Sequence, residues 1–308
     1  MIFLVRLLAI AISIAVALLI YVALVRPWFL TWGASPQEVA AADSTDRLVA
    51  PSTEVGATRA MTIRASAPAV WAWVAQVGQG RGGFYSYDIL EDALFRCEIH
   101  SADRIVPRFQ NPQTGDEFRY CLNGPAASRS HLYVERGRAI AYSPGYAMVV
   151  EPIRPTETRL IARGRGPRGP HLGRIADFFA WDVAYDTVHF VMERKMLEGI
   201  KRRAEGAPIQ SPLADDVQVL LWTIAFAIAV TSTIGVFFGK RFWPQLMIAW
   251  AAVVVWMFLM LDQPSIAVGI PIVAALVFVA LAFSNLSHKR ADLLKESSRN
   301  VDISPQSP

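Results

Sequence analysis

Four long apolar runs bound what this chain can become. From Ile2 to Val25 only Arg6 interrupts an apolar series, and Val217–Phe238, Leu246–Leu261 and Ile266–Phe283 follow near the other end. A helix needs about 20 such residues to cross a bilayer. The sequence therefore predicts a multi-pass cell-membrane protein, with one transmembrane helix before a polar middle section and three after it. Hydrophobic residues make up 53% of the chain and charged ones 18%, and the apolar excess sits at the two ends rather than in the middle.

The first run reads as an uncleaved anchor rather than a signal peptide. Its start is nearly uncharged, its apolar core is too long, and no small-x-small cleavage site follows. Trp28, Phe29 and Trp32 come directly after it, where aromatic side chains favour the headgroup level. The chain divides into an anchor (1–26), a linker with little regular structure (27–56), a soluble domain (57–207), a second linker (208–216), three transmembrane helices (217–285) and a polar, largely disordered tail (286–308). No charge falls inside the three later runs, so an ion or proton pathway has no support. Lys240, Arg241, Lys289, Arg290, Lys295 and Arg299 mark the cytoplasmic side. With four spans the soluble domain then faces outward. Arg26 and Lys201-Arg202-Arg203 argue the other way, but long loops translocate largely regardless of charge.

The soluble section reads as one α+β domain. Met61 and Ile63 alternate with Thr62 and Arg64, an opening strand. Ser66 is a candidate N-cap, and Val70, Trp73, Val74 and Val77 recur at helical spacing up to Gly78. A strand resumes at Asp116, where Phe118, Tyr120 and Leu122 alternate with polar residues until Asn123-Gly124-Pro125. Further strands are expected at His131–Glu135, Arg138–Tyr142, Tyr146–Glu151 and Thr158–Arg163. Connections this short allow only antiparallel pairing. A helix from Thr187 to Ala204 closes the domain, with Val188, Val191, Met192, Met196 and Ile200 on one stripe. Glu193, Arg194, Glu198, Lys201 and Arg202 cover its other side, Glu198 and Arg202 being spaced for an ion pair. Such a helix lies across the sheet's concave face, and space the two leave unfilled becomes a pocket.

Between the first helix and the next elements runs Gln76-Val77-Gly78-Gln79-Gly80-Arg81-Gly82-Gly83-Phe84-Tyr85-Ser86-Tyr87-Asp88. Gly78-x-Gly80-x-x-Gly83 matches a dinucleotide fingerprint in spacing only. That motif needs a strand before it and a long helix after it, and here a helix precedes the glycines. The aromatic and polar mixture instead suits a cavity wall. The basic loop Arg163–Gly173 is a solvated connection or a contact for anionic headgroups. It is not a nucleic-acid site, because no recognition fold accompanies it.

Three segments carry a resemblance: Gln76–Asp88, His100-Ser101-Ala102-Asp103-Arg104-Ile105-Val106-Pro107 with Gln110 and Gly115-Asp116, and Val191–Glu205. With the order strand, helix, meander, long terminal helix, the domain resembles the START-related helix-grip superfamily (SRPBCC, polyketide cyclase/dehydrase-like), in particular its bacterial membrane-anchored members. The resemblance implies an antiparallel sheet wrapped on the terminal helix around a cavity for a hydrophobic small molecule, such as a lipid, isoprenoid or polyketide. Within the superfamily that cavity serves transport, sensing or, in a minority, catalysis. The ligand-binding set expected here is Trp73, Gln76, Arg81, Tyr85, Tyr87, His100, Met192 and Met196.

The expected partners are that ligand and the lipid bilayer, with no cofactor and no catalytic residue assigned. Two rival functions stay open. A cyclase or dehydratase needs an acid or base inside the pocket, for which His100, Arg81, Tyr85 and Tyr87 are candidates. Each also has a plain structural reading: His100 caps a loop, Arg81 pairs with Asp88 or Asp103, and the tyrosines pack with satisfied hydroxyls. An interaction module would instead have a collapsed pocket and an exposed apolar patch. Cys97 and Cys121 form a disulfide or remain two buried thiols. A zinc site from Cys97, His100, Cys121 and His131 is disfavoured, because only Cys97-x-x-His100 has ligand-like spacing.

Overall fold

The computed structural model describes residues 2–41, 43–44, 56–97, 100–121, 129–142, 145–165, 170–239 and 242–283. The expected tail (286–308), residues 42 and 45–55 of the first linker, the Asn123-Gly124-Pro125 turn and the Lys240-Arg241 pair lie outside these residues.

The chain forms two compact units, Val16–Asp215 and the two flanking segments 1–15 and 216–308. Four helices are long and apolar enough to cross a membrane: Phe3–Leu30, Pro212–Phe238, Phe242–Asp262 and Ile266–Phe283. Within the flanking unit, the charge of Arg6 is met by helix-end carbonyls, its guanidinium donating to Phe237 O (2.6 Å) and Gly239 O (2.9 Å). The first of these helices is α1 (Ile2–Ile20), a π-helical turn Tyr21–Val25, and α2 (Arg26–Leu30).

The larger unit is α+β. Its strands are β1 (Thr58–Ile63), β2 (Glu117–Arg119), β3 (Arg129–Glu135), β4 (Ala139–Tyr142), β5 (Tyr146–Arg154) and β6 (Glu157–Gly164). They form one six-stranded antiparallel sheet, ordered β1-β6-β5-β4-β3-β2. The first edge strand is covered: the Ala60 amide on its open side donates to Trp32 O at 3.0 Å. The other edge strand, β2, spans only three residues, shorter than the alternation from Asp116 to Leu122 suggests.

One sheet face carries the core. Ile63, Leu132, Ile140, Met148, Val150 and Leu160 pack there with Val70, Trp73 and Val74 of α4 (Ala67–Val74) and Leu197 and Ile200 of α7 (Asp186–Ala204). Fully burying each such aliphatic side chain contributes about 1.5–3 kcal/mol. Where α7 crosses the loop after α4, Gly199 is required by close approach: a Cβ there would lie 2.4 Å from Tyr85 O. A Cβ on Gly78, at φ +127°, would lie 2.6 Å from the Phe118 ring. Cys97, just after α5 (Asp88–Phe95), and Cys121 are joined by a disulfide with Cα atoms 4.5 Å apart.

Several local expectations are corrected. The Ser66 side chain makes no capping bond, and α4 stops at Val74, so Val77 lies in the following turn. The linker contains α3 (Pro36–Ala40), closed by a capping box in which Ser35 Oγ accepts from Glu38 N (3.2 Å) and Glu38 Oε2 from Ser35 N (2.6 Å). Glu38 also holds Arg159 at 2.6 Å, and these partners draw its carboxyl down to about 2. The basic loop leads into a helical stretch, α6 (Arg174–Asp177) with the π-helical Phe178–Tyr185, that runs straight into α7. On α7, Glu193 is buried rather than exposed, while Val188, expected on the apolar stripe, is exposed. Glu198 bonds Arg194 (3.2 Å), and Arg202 reaches the Pro208 carbonyl instead.

Candidate functional site

The alternation of β2, β4 and β5 brings aromatic side chains to the inner face at one end of the sheet. Tyr142 and Tyr146 are partners across β4 and β5, so their side chains emerge on the same side. They belong to a continuous row of rings. Phe84 meets Phe118 (6.2 Å between centroids), Phe118 meets Tyr120 (5.0 Å) and Tyr142 (4.2 Å), Tyr142 meets Tyr146 (6.0 Å), and Tyr146 meets His189 (5.8 Å), on which Tyr185 stacks (5.5 Å).

Four polar atoms beside this row are shielded from solvent and have no hydrogen-bond partner among the described residues: Tyr142 Oη, Tyr146 Oη, Glu193 Oε1 and Arg81 Nε. A buried polar group left unpaired costs about 1–3 kcal/mol, so each one needs an explanation. Burial pushes the Tyr142 and Tyr146 hydroxyls far above the ordinary phenol range and Tyr120 up to about 12. All three stay protonated near neutrality and can donate hydrogen bonds. They suit an acceptor oxygen attached to an apolar body.

One wall of the site is an ion pair. Arg59 projects from β1, 1% exposed, and its Nη1 donates to Glu193 Oε2 at 2.9 Å. Its Nε donates to Phe29 O at 2.7 Å, and the guanidinium lies over the Phe190 ring at 5.1 Å. His189 Nδ1 is 3.3 Å from Arg59 Nη1 and 3.4 Å from Glu193 Oε2. Burial pushes the imidazole below its usual range, with Glu193 opposing and Arg59 reinforcing the shift. A neutral ring whose Nδ1 accepts from Arg59 fits these contacts.

The residues expected from the sequence fall into separate groups. Trp73, Tyr85 and Met196 lie in the packed core. Tyr85, in a left-handed conformation (φ 56°), donates its hydroxyl to Trp73 O (3.2 Å), and the Arg203 guanidinium covers its ring at 4.6 Å. Gln76 pins the loop opposite: its amide nitrogen donates to Arg104 O (3.1 Å), and its amide oxygen accepts from Val106 N (2.9 Å) and Gln110 Nε2 (3.1 Å). Tyr87 is buried beneath the Lys195 ammonium (4.6 Å), and Met192 O accepts from Ser86 Oγ (2.8 Å). His100 is exposed and joins none of these groups.

Arg81 bears on the tyrosine row, where its charge draws the Tyr142 phenol down against burial, and Trp73, Tyr85 and Met196 share their core cluster with Phe118 and Tyr142. It pairs with neither Asp88 nor Asp103: its Nη2 donates to the carbonyls of Ala75 (2.8 Å) and Phe109 (3.3 Å). Asp88 is held by Ser101 instead (2.8 Å). Sequence reasoning missed Arg59, Tyr120, Tyr142, Tyr146, His189 and Glu193. The available signal was the matching alternation of Phe118, Tyr120, Tyr142 and Tyr146.

A concavity of about 330 Å³ lies on the opposite face of the sheet under α3, between Glu38, Asp43, Arg138, Glu151 and Arg163. Its arginines are engaged, Arg138 with Asp43 and Glu135, and Arg163 with the carbonyls of Glu38 (3.0 Å) and Ala41 (2.6 Å). That lining does not suit an apolar ligand. No family profile, curated protein or solved structure matches this chain.

Proposed function

We propose that this chain is a multi-pass membrane protein, with one N-terminal and three C-terminal spans, whose α+β domain is a START-related helix-grip module binding a hydrophobic molecule with an oxygen-bearing head. The domain faces the extracytoplasmic side and presents or senses that molecule at the bilayer. One observation carries the reading: paired tyrosines on the sheet's inner face hold protonated, unpartnered hydroxyls inside a row of aromatic rings. The rings offer an apolar wall, and the hydroxyls, with Arg81 Nε, offer donors to a carbonyl, ester or phosphate oxygen. The outward orientation draws on the basic residues of the later segments and on the Cys97–Cys121 disulfide, a bond that persists in oxidising compartments.

Native mass spectrometry of the full chain in lipid nanodiscs tests this, comparing wild type with the Tyr142→Phe/Tyr146→Phe double variant. A hydrophobic molecule retained by wild type and lost from the variant supports the reading. A domain that stays empty with every added lipid extract overturns it.

Two other readings each rest on one observation. His189 and Glu193 form an ionisable pair beside the row, as a cyclase or dehydratase needs, although Arg59 engages Nδ1 of one and Oε2 of the other. The interaction-module reading draws on the apolar stretch Arg174–Tyr185, which buries none of its residues.

A further inference from the structure

The stretch Arg174–Tyr185 is mostly apolar, yet none of its side chains is buried. Ile175 is 77% exposed, Phe179 49%, and Leu172 just before them 55%. A contiguous apolar surface of this kind marks a contact with another protein or with lipid. Its acidic groups are already engaged. Asp177 accepts from Leu172 N (2.8 Å) and pairs with His171, while Arg26 holds Asp182 (2.9 Å) and Asp186 (2.8 Å). Arg174, at its start, is exposed.

Its neighbour indicates which contact this is. Tyr21 donates its hydroxyl to Asp182 O at 2.6 Å and meets Thr187 Oγ1 at 3.0 Å. Tyr21 belongs to the apolar helix Phe3–Leu30, about 27 Å along it from Phe3 at roughly 1.5 Å per residue. The hydrocarbon core is about 30 Å thick. A helix bonded to Tyr21 therefore sits at headgroup depth when Phe3–Leu30 spans the bilayer. Apolar and aromatic groups beside basic ones are what an interfacial helix presents.

We infer that Arg174–Tyr185 is an interfacial docking helix whose Ile175 and Phe179 side chains enter the boundary between acyl chains and headgroups. This rests on Phe3–Leu30 being a transmembrane span. Tyr185, at the end of the docking helix, stacks on His189, so the outer end of the ring row meets the membrane surface. A hydrophobic ligand then passes between lipid and row without crossing water.

Both native cysteines are committed to the disulfide, so single cysteines introduced without reductant can carry spin labels. The full chain, labelled at Ile175→Cys, Phe179→Cys, Leu8→Cys or Ile153→Cys, is placed in nanodiscs of phosphatidylcholine and phosphatidylglycerol. Collision rates with oxygen and with a water-soluble nickel chelate are then compared. The oxygen-to-nickel ratio at 175 and 179 is expected to exceed that at 153, on the β5 end, by several-fold, with Leu8 deeper still. A ratio at 175 and 179 equal to that at 153 overturns the inference while leaving a deep Leu8 anchor intact. Labels shielded from both reagents report a protein contact and also overturn it. A Leu8 label in water removes the anchor and the inference together. Ligand retention is read separately, so an empty row with deep 175 and 179 labels removes only the ligand-binding proposal.

Discussion

Tyr142 and Tyr146 face each other across β4 and β5 with ring centroids 6.0 Å apart, and among the described residues neither hydroxyl has a partner. Two shielded donors without partners are either a defect or a binding feature, and the two behave oppositely on mutation.

Removing both hydroxyls as Tyr142→Phe/Tyr146→Phe deletes unpaired polar groups and keeps the rings. Ligand-free protein is expected to hold its stability or gain about 1 kcal/mol, while ligand retention falls. Urea unfolding of delipidated protein checks the first part. A loss of stability there would mean that the hydroxyls are internal structural bonds.

The Arg59–Glu193 pair is buried on both sides. Arg59→Met leaves the Glu193 carboxylate shielded and uncompensated, with an expected cost of about 3–5 kcal/mol. Adding Glu193→Leu to the same chain should recover a large part of that loss. Chemical denaturation of the two single variants and the double variant measures the coupling, and simple additivity would show that the two charges are independent.

Glu91 is buried on α5, with one carboxyl oxygen unpartnered among the described residues. Burial, with Asp88 and Asp92 adding to it, raises its folded-state value to about 9. An acid whose pKa is raised on folding binds more protons folded than unfolded. Its stabilising contribution is complete below the unfolded value of about 4.3, and falls as pH rises towards 9. Glu91→Gln should flatten this decline. Unfolding midpoints at pH 5, 7 and 9 give the answer, and parallel curves for variant and wild type would sink the assignment.

The Cys97–Cys121 disulfide joins residues 24 apart in sequence. Its loss as Cys97→Ser/Cys121→Ser should cost about 3 kcal/mol through the freed unfolded chain. Thermal melts of the double variant and of reduced wild type should agree, and an unshifted melt in both would show that the bond does not contribute to stability.

The sheet was legible because inner-face residues such as Met61 and Ile63, or Phe118 and Tyr120, alternate with polar neighbours along their own strands. The core stripe of α7 was legible for a similar reason, through Met196 and Ile200 at helical spacing. Glu193 was misread because its compensating charge comes from Arg59 on β1, a partner that no local pattern can announce. Lys195, which carried no expectation, is likewise buried with a non-local partner, its ammonium being met by Asp215 at 2.6 Å. The α3 helix did carry a local signature, Ser35-Pro36-Gln37-Glu38, obscured by its polar, Ala-rich surroundings. Tyr142 and Tyr146 stand at the facing ends of two expected strands, and their pairing emerges only once the register of that ladder is fixed.

The way the sheet ends has a further consequence. One border strand has an outward amide occupied by Trp32 O, and the other is three residues long. Exposed, unsatisfied strand borders are templates on which identical chains polymerise. Copies held in one membrane share an orientation and meet often at high local density, the condition most favourable to that polymerisation. At both borders of this sheet the template for such pairing is short or partly occupied.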